Sequence, residues 1–228
     1  MAIDSNKEVV TKQDFTIVIP VLNEEQSIAY VIDSIQNEGY DKIIVVDGFS
    51  IDNTFAIARS MGVETLHQEG TGKAAAVKTA IDFIKTPYLV LIDGDSTYDP
   101  ADIEKLIEYT NEYDQVIGER KHGSTNIPTL NRFGNRVITI IFNILFKTKL
   151  KDVCSGLYII KLDTVKEIDL NSTDFCVEVE LAAKISRIGN VVDVPVNYYE
   201  RVGKKKLKPF RDGAEIILTM FRIFLKLQ

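Results

Sequence analysis

Apolar residues fall into two rhythms along the chain. Short unbroken runs, rich in β-branched side chains, occur at FTIVIPV (15–21), KIIVVD (42–47), VETL (63–66), YLVLI (88–92) and QVIGE (115–119). Such runs read as buried strands. Between them the apolar positions open out to helical spacing. Residues 24–36 carry Ile28, Val31, Ile32 and Ile35, and helices are also predicted over 52–61, over the Ala-rich 73–85 and from Asp99 to about Glu112. The punctuation agrees. Asp52 is an N-cap with Gly62 just past the end, Pro87 stops the third helix, and Asp99-Pro100 is a cap followed by proline at the first helical position.

This alternation predicts an α/β fold: a Rossmann-like, mostly parallel sheet with helices on both faces. Ligands in such sheets bind beyond the carboxyl ends of the strands. That rule nominates Asn23-Glu24, Asp47-Gly48, residues 69–73 and Asp93–Asp99. The second half is less regular, with strand signals at 153–160 and 191–197 and helix signals at 129–147, 177–188 and 211–227. No low-complexity linker and no repeat interrupts the 228 residues, so 1–228 is read as one domain.

Charge divides what the pattern unites. The net charge is −6, which argues against general nucleic-acid binding. Residues 1–119 hold 8 Lys and Arg against 22 Asp and Glu, whereas 120–228 hold 19 against 11. An acidic half suited to a metal precedes a basic half suited to phosphate or an anionic membrane. No run of about 18 apolar residues is present, so no ordinary spanning helix is expected. The N-terminus lacks a basic-then-apolar signal pattern. Two cysteines, Cys154 and Cys176, are too few for a disulfide scaffold or a zinc site, and a reduced, cytoplasmic setting is expected.

The chemistry gathers at strand ends. Asp93 and Asp95, one glycine apart after the fourth strand, can converge on a hard divalent cation carrying a diphosphate. A solvated turn and simple helix capping are the plain alternatives. A calcium loop fits Asp93, Asp95, Thr97, Asp99 and Glu104 but fails where Tyr98 replaces the turn glycine. GTGKAAA (70–76) is a glycine-rich entry to a helix whose amides could meet phosphate, with Lys73 the residue to test. It is not a Walker loop, because His67 stands where that loop needs glycine. Asp47 ends the second strand, where an acidic group can take ribose hydroxyls, and Glu24 sits in a first helical turn.

Taken in order, VIPVLNEE, VVDGFSIDNT, GTGKAAAVKTA and LIDGDSTYDP resemble the glycosyltransferase family 2 series. VIGER, LNRFGNRVI, DVCSGLYIIK and ERVGKKKLKPFRDG resemble more specifically the polyprenyl-phosphate glycosyltransferases, the dolichyl-phosphate mannose, glucose and N-acetylglucosamine synthases of archaeal type. The resemblance covers about residues 15–225 and implies a GT-A fold with a nucleotide-sugar half (1–119) and an acceptor-facing half (120–228). It implies that Pro20, Glu24 and Asp47 line the nucleoside pocket, with Lys73 nearby. Asp93, Gly94 and Asp95 would form the D-x-D motif, Asp95 the main ligand of Mg²⁺ or Mn²⁺, with Thr97 at a further ligand position. Arg120, Arg132, Arg201 and Lys206 would meet donor or acceptor phosphates. Leu22 stands where many relatives carry tyrosine, and the Arg201–Lys206 stretch is one residue shorter than in mannose synthases.

The activity so implied is inverting transfer of a sugar, from UDP-glucose or UDP-N-acetylglucosamine, to dolichyl or polyprenyl phosphate. It would feed protein glycosylation or cell-surface glycan assembly from the cytoplasmic face of a membrane. Two helices suit that setting. Arg132, Arg136, Thr139, Asn143 and Lys147 form a narrow polar stripe on one, and Glu215, Thr219, Arg222 and Lys226 on the other, each on an otherwise apolar helix. A pair of buried core helices is the competing reading. Glu178 and Glu180 lie where hydroxyl-transferring relatives keep a catalytic acid, so a sugar hydroxyl remains an alternative acceptor. A non-catalytic nucleotide-sugar or calcium-binding module is a further alternative.

Overall fold

The computed structural model describes residues 10–171, 176–203 and 209–226. Its elements run β1 (Phe15–Val21), α1 (Ile28–Asn37), β2 (Ile43–Asp47), α2 (Thr54–Ser60), β3 (Glu64–His67), α3 (Lys73–Ile81), β4 (Tyr88–Leu91), α4 (Ile103–Ile107), β5 (Gln115–His122), α5 (Thr129–Phe146), β6 (Tyr158–Lys161), α6 (Leu162–Lys166), α7 (Val177–Ile188), β7 (Val191–Asn197) and α8 (Pro209–Lys226). All seven strands form one sheet in the order β3-β2-β1-β4-β6-β5-β7. The pairings β1–β2, β1–β4, β2–β3 and β5–β7 are parallel, and β6 alone runs antiparallel, between β4 and β5.

Period-2 alternation sorts the strand side chains onto two faces. Phe15, Ile17, Ile19 and Val21 of β1 pack with Val31, Ile32 and Ile35 of α1, Ala58 of α2 and Leu106 of α4. Val18, Ile44 and Leu89 face the other way, into α3, α5, α7 and α8. The chain leaves β1 toward β2 on one side, while β4 pairs with β1 on the other. A crevice opens where the strand order reverses, beyond the carboxyl ends of β1 and β4.

The mostly parallel, doubly covered sheet holds, and several boundaries move. The helix expected to reach Glu112 is a 3-10 turn (Pro100–Asp102) followed by α4, which ends at Ile107. The third helix ends at Ile81. The strand signal over 153–160 is half wrong. Residues 153–157 are a loop, because Asp152 is drawn to Arg120 and Gly156 must pass tightly beneath Asp93. Regular pairing with β4 begins only at Tyr158. Helix α6 was not predicted.

The two stripes need a correction as well. Thr139 is buried and accepts from Val153 N, and Asn143 bonds Leu150 and Thr148, so that part of the α5 stripe faces protein. The outward faces are apolar instead. Phe133, Ile140 and Ile144 on α5 and Phe210, Leu218, Phe221 and Leu225 on α8 are exposed, while Ile138, Phe142, Ile216, Met220 and Ile223 fill the core. Each helix is apolar on its core side and on the opposite side.

Phe142, on α5, is fully buried, its ring tilted against that of Phe146 with centroids 4.7 Å apart. Phe142→Ala is expected to cost about 3–5 kcal/mol of unfolding free energy in a urea titration. A loss below about 1 kcal/mol would mean that α5 is not docked on the core in this way.

Candidate functional site

Three strand ends converge on the crevice, and their loops are stitched together. Asn23 N donates to Ser50 Oγ (2.8 Å), Asn23 Oδ1 accepts from Ile51 N (2.8 Å), and Glu24 N donates to Thr54 Oγ1 (2.7 Å). These bonds lock the turn after β1 to the turn after β2. At the end of β4, Gly94 is packed so closely that a Cβ there would lie 2.7 Å from Val21 Cγ1. Its carbonyl accepts from Ser27 Oγ at 2.7 Å. Glycine between the two aspartates is therefore a packing requirement that fixes where they point.

Above this edge lies a cavity of about 760 Å³, lined among others by Pro20, Glu24, Lys73, Asp93, Gly94 and Asp95. Its far wall comes from the second half: Arg120, Asn131 and Asn135 of α5, Cys154, Glu178 and Arg201. Ionic pairing at its base is tight. Lys73 Nζ bridges Asp93 Oδ1 (2.6 Å) and Glu178 Oε1 (2.5 Å). Arg201 bridges Asp95 and Glu24 through its two terminal nitrogens. Among the described residues, four carboxylates thus share two cations. The Arg120–Asp152 pair is closed on itself, with Nε–Oδ2 at 2.6 Å and Nη2–Oδ1 at 2.8 Å. It sits beside a register shift between β5 and β7 that bends the strand at the cavity wall.

The protonation balance follows. Burial, then the neighbouring Asp93, pushes the Asp95 carboxyl up, against the pull of Arg201 and Thr97. Burial also raises Glu178, with Lys73 opposing. Burial alone would lower the Lys73 ammonium, but Asp93 and Glu178 together hold it well above the ordinary lysine value, so it stays charged. The Cys154 thiol is pushed far up by burial, which rules it out as a thiolate nucleophile at neutral pH.

These donors fit a divalent cation. Asp93 and Asp95 are hard oxygen ligands, and Asp95 is drawn toward a cation already, in the form of Arg201. Among the described residues no group of three or more His, Cys, Asp or Glu forms a complete ligand cage. Any ion here would share its remaining positions with a ligand or water. Thr97 is not placed as a further ligand: buried behind Asp95, it donates from N (3.1 Å) and Oγ1 (2.5 Å) to Asp95 Oδ1.

The other nominated residues divide. Asp47 is fully buried at the end of β2, its Oδ2 accepting from Ser50 N at 2.9 Å. Arg132 is exposed on α5, outside the cavity lining, where Asn131 and Asn135 take the inward positions. Lys206, with Lys204, Lys205 and Lys208, lies outside the described residues. Glu180 is separated from Glu178 by the helical turn. It accepts from Asn171 N (2.9 Å) and Lys184 Nζ (2.6 Å), a structural role away from the cavity. Asp152 and Asn135 went unnoticed in the sequence. Asp152 has no motif around it, and only the fold brings it to Arg120.

The comparisons with known proteins agree with one another. Residues 16–168 match the family model for glycosyl transferase family 2. A glycosyltransferase of Haloferax volcanii, AglJ, is 35% identical over 90% of this chain and 70% of its own length. A dolichyl-phosphate hexose transferase of the same organism is 32% identical over 95% and 96%. Among solved structures, glucosyl-3-phosphoglycerate synthase from Mycobacterium tuberculosis, in complex with Mn²⁺, UDP-glucose and phosphoglyceric acid, superposes with a TM-score of 0.73 at 20% identity. That superposition covers 93% of this chain and 78% of the synthase.

The tight passage of residue 156 gives a direct test. A Cβ on Gly156 would lie 2.0 Å from Asp93 Oδ2. Gly156→Ala must therefore displace Asp93 from Lys73. The variant is expected to keep its far-ultraviolet spectrum and lose about 100-fold in turnover, the scale of a misplacement near 1 Å. Undiminished turnover would show that the position of Asp93 is immaterial.

Proposed function

The chain belongs to glycosyl transferase family 2 and is a glycosyltransferase of GT-A fold, and on that premise we propose that it moves a hexose from a nucleoside diphosphate sugar to the phosphate of a polyprenyl lipid. One observation carries the reading. The cavity has the Asp93–Asp95 edge on one side and α5 and α8 on the other, and the outward faces of those helices are apolar and exposed. A donor with a diphosphate suits the first side, and an acceptor with a lipid tail suits the second. The dolichyl-phosphate hexose transferase similarity supports the same acceptor, and the UDP-glucose complex of the structural neighbour supports a uridine nucleotide carrying glucose.

Asp93 and Asp95 would hold Mg²⁺ or Mn²⁺, which supplies charge compensation for the nucleoside diphosphate leaving group. Asp47, Pro20 and Glu24 would border the nucleoside. The acceptor needs little activation: a phosphate monoester has its second pKa near about 6, so it is largely dianionic at pH 7. Its oxygen attacks the anomeric carbon from the face opposite the departing diphosphate, the C–O bond to the nucleotide breaks, and configuration inverts. This chain's task is to bring two anions together. Arg201, once Asp95 is otherwise engaged, has a guanidinium to offer the phosphates. Arg120 adds a weaker field, since Asp152 already neutralises it. Arg132 and the lysines 204–206 would act from the rim.

The lipid tail implies a surface. No helix among the described residues is long and apolar enough to cross a membrane. The exposed apolar stripes are flanked by Arg132, Arg136, Arg211, Arg222 and Lys226, the composition of helices that lie in a membrane interface. Peripheral docking at the cytoplasmic face is the setting proposed. A second reading rests on Glu178, a cavity carboxylate raised by burial, which could accept a proton from a sugar hydroxyl.

The decisive assay follows label from a panel of UDP- and GDP-sugars, with purified protein, dolichyl phosphate and Mn²⁺, and an EDTA control. Metal-dependent label in an organic-extractable, mild-acid-labile product is expected. Nucleotide release that requires a sugar acceptor instead would favour the hydroxyl reading. Asp95→Asn should lose about 100-fold or more in turnover. It should nevertheless be no less stable at pH 7 in a thermal melt. A carboxyl whose folded pKa is raised favours folding while protonated, and that contribution is lost as pH rises through the folded value, so its charge is a net cost at neutrality. Early melting of Asp95→Asn would contradict this balance. Phe221→Asp with Leu225→Asp should weaken cosedimentation with anionic vesicles at least about tenfold without altering the fold. Unchanged sedimentation would remove α8 from the membrane surface.

A further inference from the structure

Among the described residues, four other than glycine have positive φ, and three of them stand where the chain leaves β1, β2 and β4: Asn23 (51°), Phe49 (62°) and Ser96 (62°). Asn23 is a residue type that tolerates this region, and its side chain is fixed by Ile51 N. Ser96 is small and polar. Phe49 has neither excuse, for a bulky side chain in the left-handed region is a true outlier. Burial does not explain it, because Phe49 is 59% exposed. Strain held at such a position points to use rather than packing.

The ring is exposed but braced. It lies parallel to the His67 imidazole, with centroids 5.1 Å apart and planes 5° apart. His67 in turn stacks on Phe55 at 4.1 Å and 10°. Phe49 lines the cavity beside Leu22, Gly48 and Gln68. Two residues before it in the chain, Asp47 is fully buried. Its Oδ2 accepts from Ser50 N and lies 3.4 Å from His67 Nδ1, whereas Oδ1 has no hydrogen-bond partner among the described residues. A buried carboxylate oxygen without a donor is costly. A flat heterocycle in the cavity would satisfy the exposed ring, face against face, whereas Asp47 does not itself line the cavity.

We propose that Phe49, braced by His67 and Phe55, is the platform on which the donor's nucleobase stacks, and so a residue that sets nucleotide affinity and choice. The inference rests on the nucleotide-sugar reading above and deepens it. It also gives the chain an aromatic base contact from the loop after β2, where Leu22 after β1 provides none.

Glycine at position 49 separates this role from a structural one, because glycine adopts φ near 62° without strain. Calorimetric titration with UDP, with GDP and with pyrophosphate, each in the presence of Mn²⁺, is run on the wild type, Phe49→Gly and Phe49→Tyr. In Phe49→Gly, thermal stability is expected to be equal or higher, the better-bound nucleotide to bind about tenfold more weakly, and pyrophosphate to bind unchanged. Phe49→Tyr should retain nucleotide affinity. Unchanged nucleotide affinity in Phe49→Gly overturns the proposal alone. So does a parallel loss of stability and of pyrophosphate binding, which would make the ring a brace for the loop. A wild type that binds neither UDP nor GDP overturns both this inference and the nucleotide-sugar reading.

Discussion

Lys73 and Arg201 each hold two carboxylates at the carboxyl edge of the sheet, and much of the molecule is arranged around those two bridges. Lys73 starts α3, in the first half of the chain, and reaches Glu178 on α7, in the second. Arg201 follows β7 and reaches back to Glu24 after β1. The two bridges therefore tie the acidic half to the basic half across one cavity. Removing either cation would take the shared partner from two carboxylates at once, so the site and the fold are coupled energetically.

The same economy explains how two anionic substrates could be accommodated. The cavity is not simply basic. Its strongest cations are already engaged by carboxylates, so they can be released to a phosphate only as their present partners find another counter-charge. Under the proposed function, binding on the donor side would then alter what is available on the acceptor side. Arg120 belongs to a different category, since Asp152 meets it with two bonds in a buried pair and fixes its position.

Around this polar edge the packing is of two kinds. The sheet and its helices α1–α4 have ordinary faces, apolar inward and polar outward. Helices α5 and α8 are apolar inward and outward, which in water is a liability unless something covers the outer side. Cavity lining and exposed apolar surface both come from these two helices, the feature on which the proposed lipid-phosphate acceptor rests.

Periodicity and punctuation in the sequence determined the elements and the class of sheet, because burial on both faces forces continuous apolar runs and burial on one face forces helical spacing. They also placed short polar motifs such as Asp93-Gly94-Asp95 directly after strands, at the edge where the cavity lies. Where side chains meet across the fold was not legible. Glu178 and Glu180 look equivalent in FCVEVEL, yet one faces Lys73 in the cavity and the other is bound by Asn171 and Lys184. The even-handed stripe on α5 hid that Thr139 and Asn143 turn toward the 148–153 loop. Nothing local marks Asp152 as the partner of Arg120 or Gly156 as the residue beneath Asp93. Those are contacts between residues far apart in the chain, and only the tertiary structure, by closing the second half over the edge built by the first, decided them.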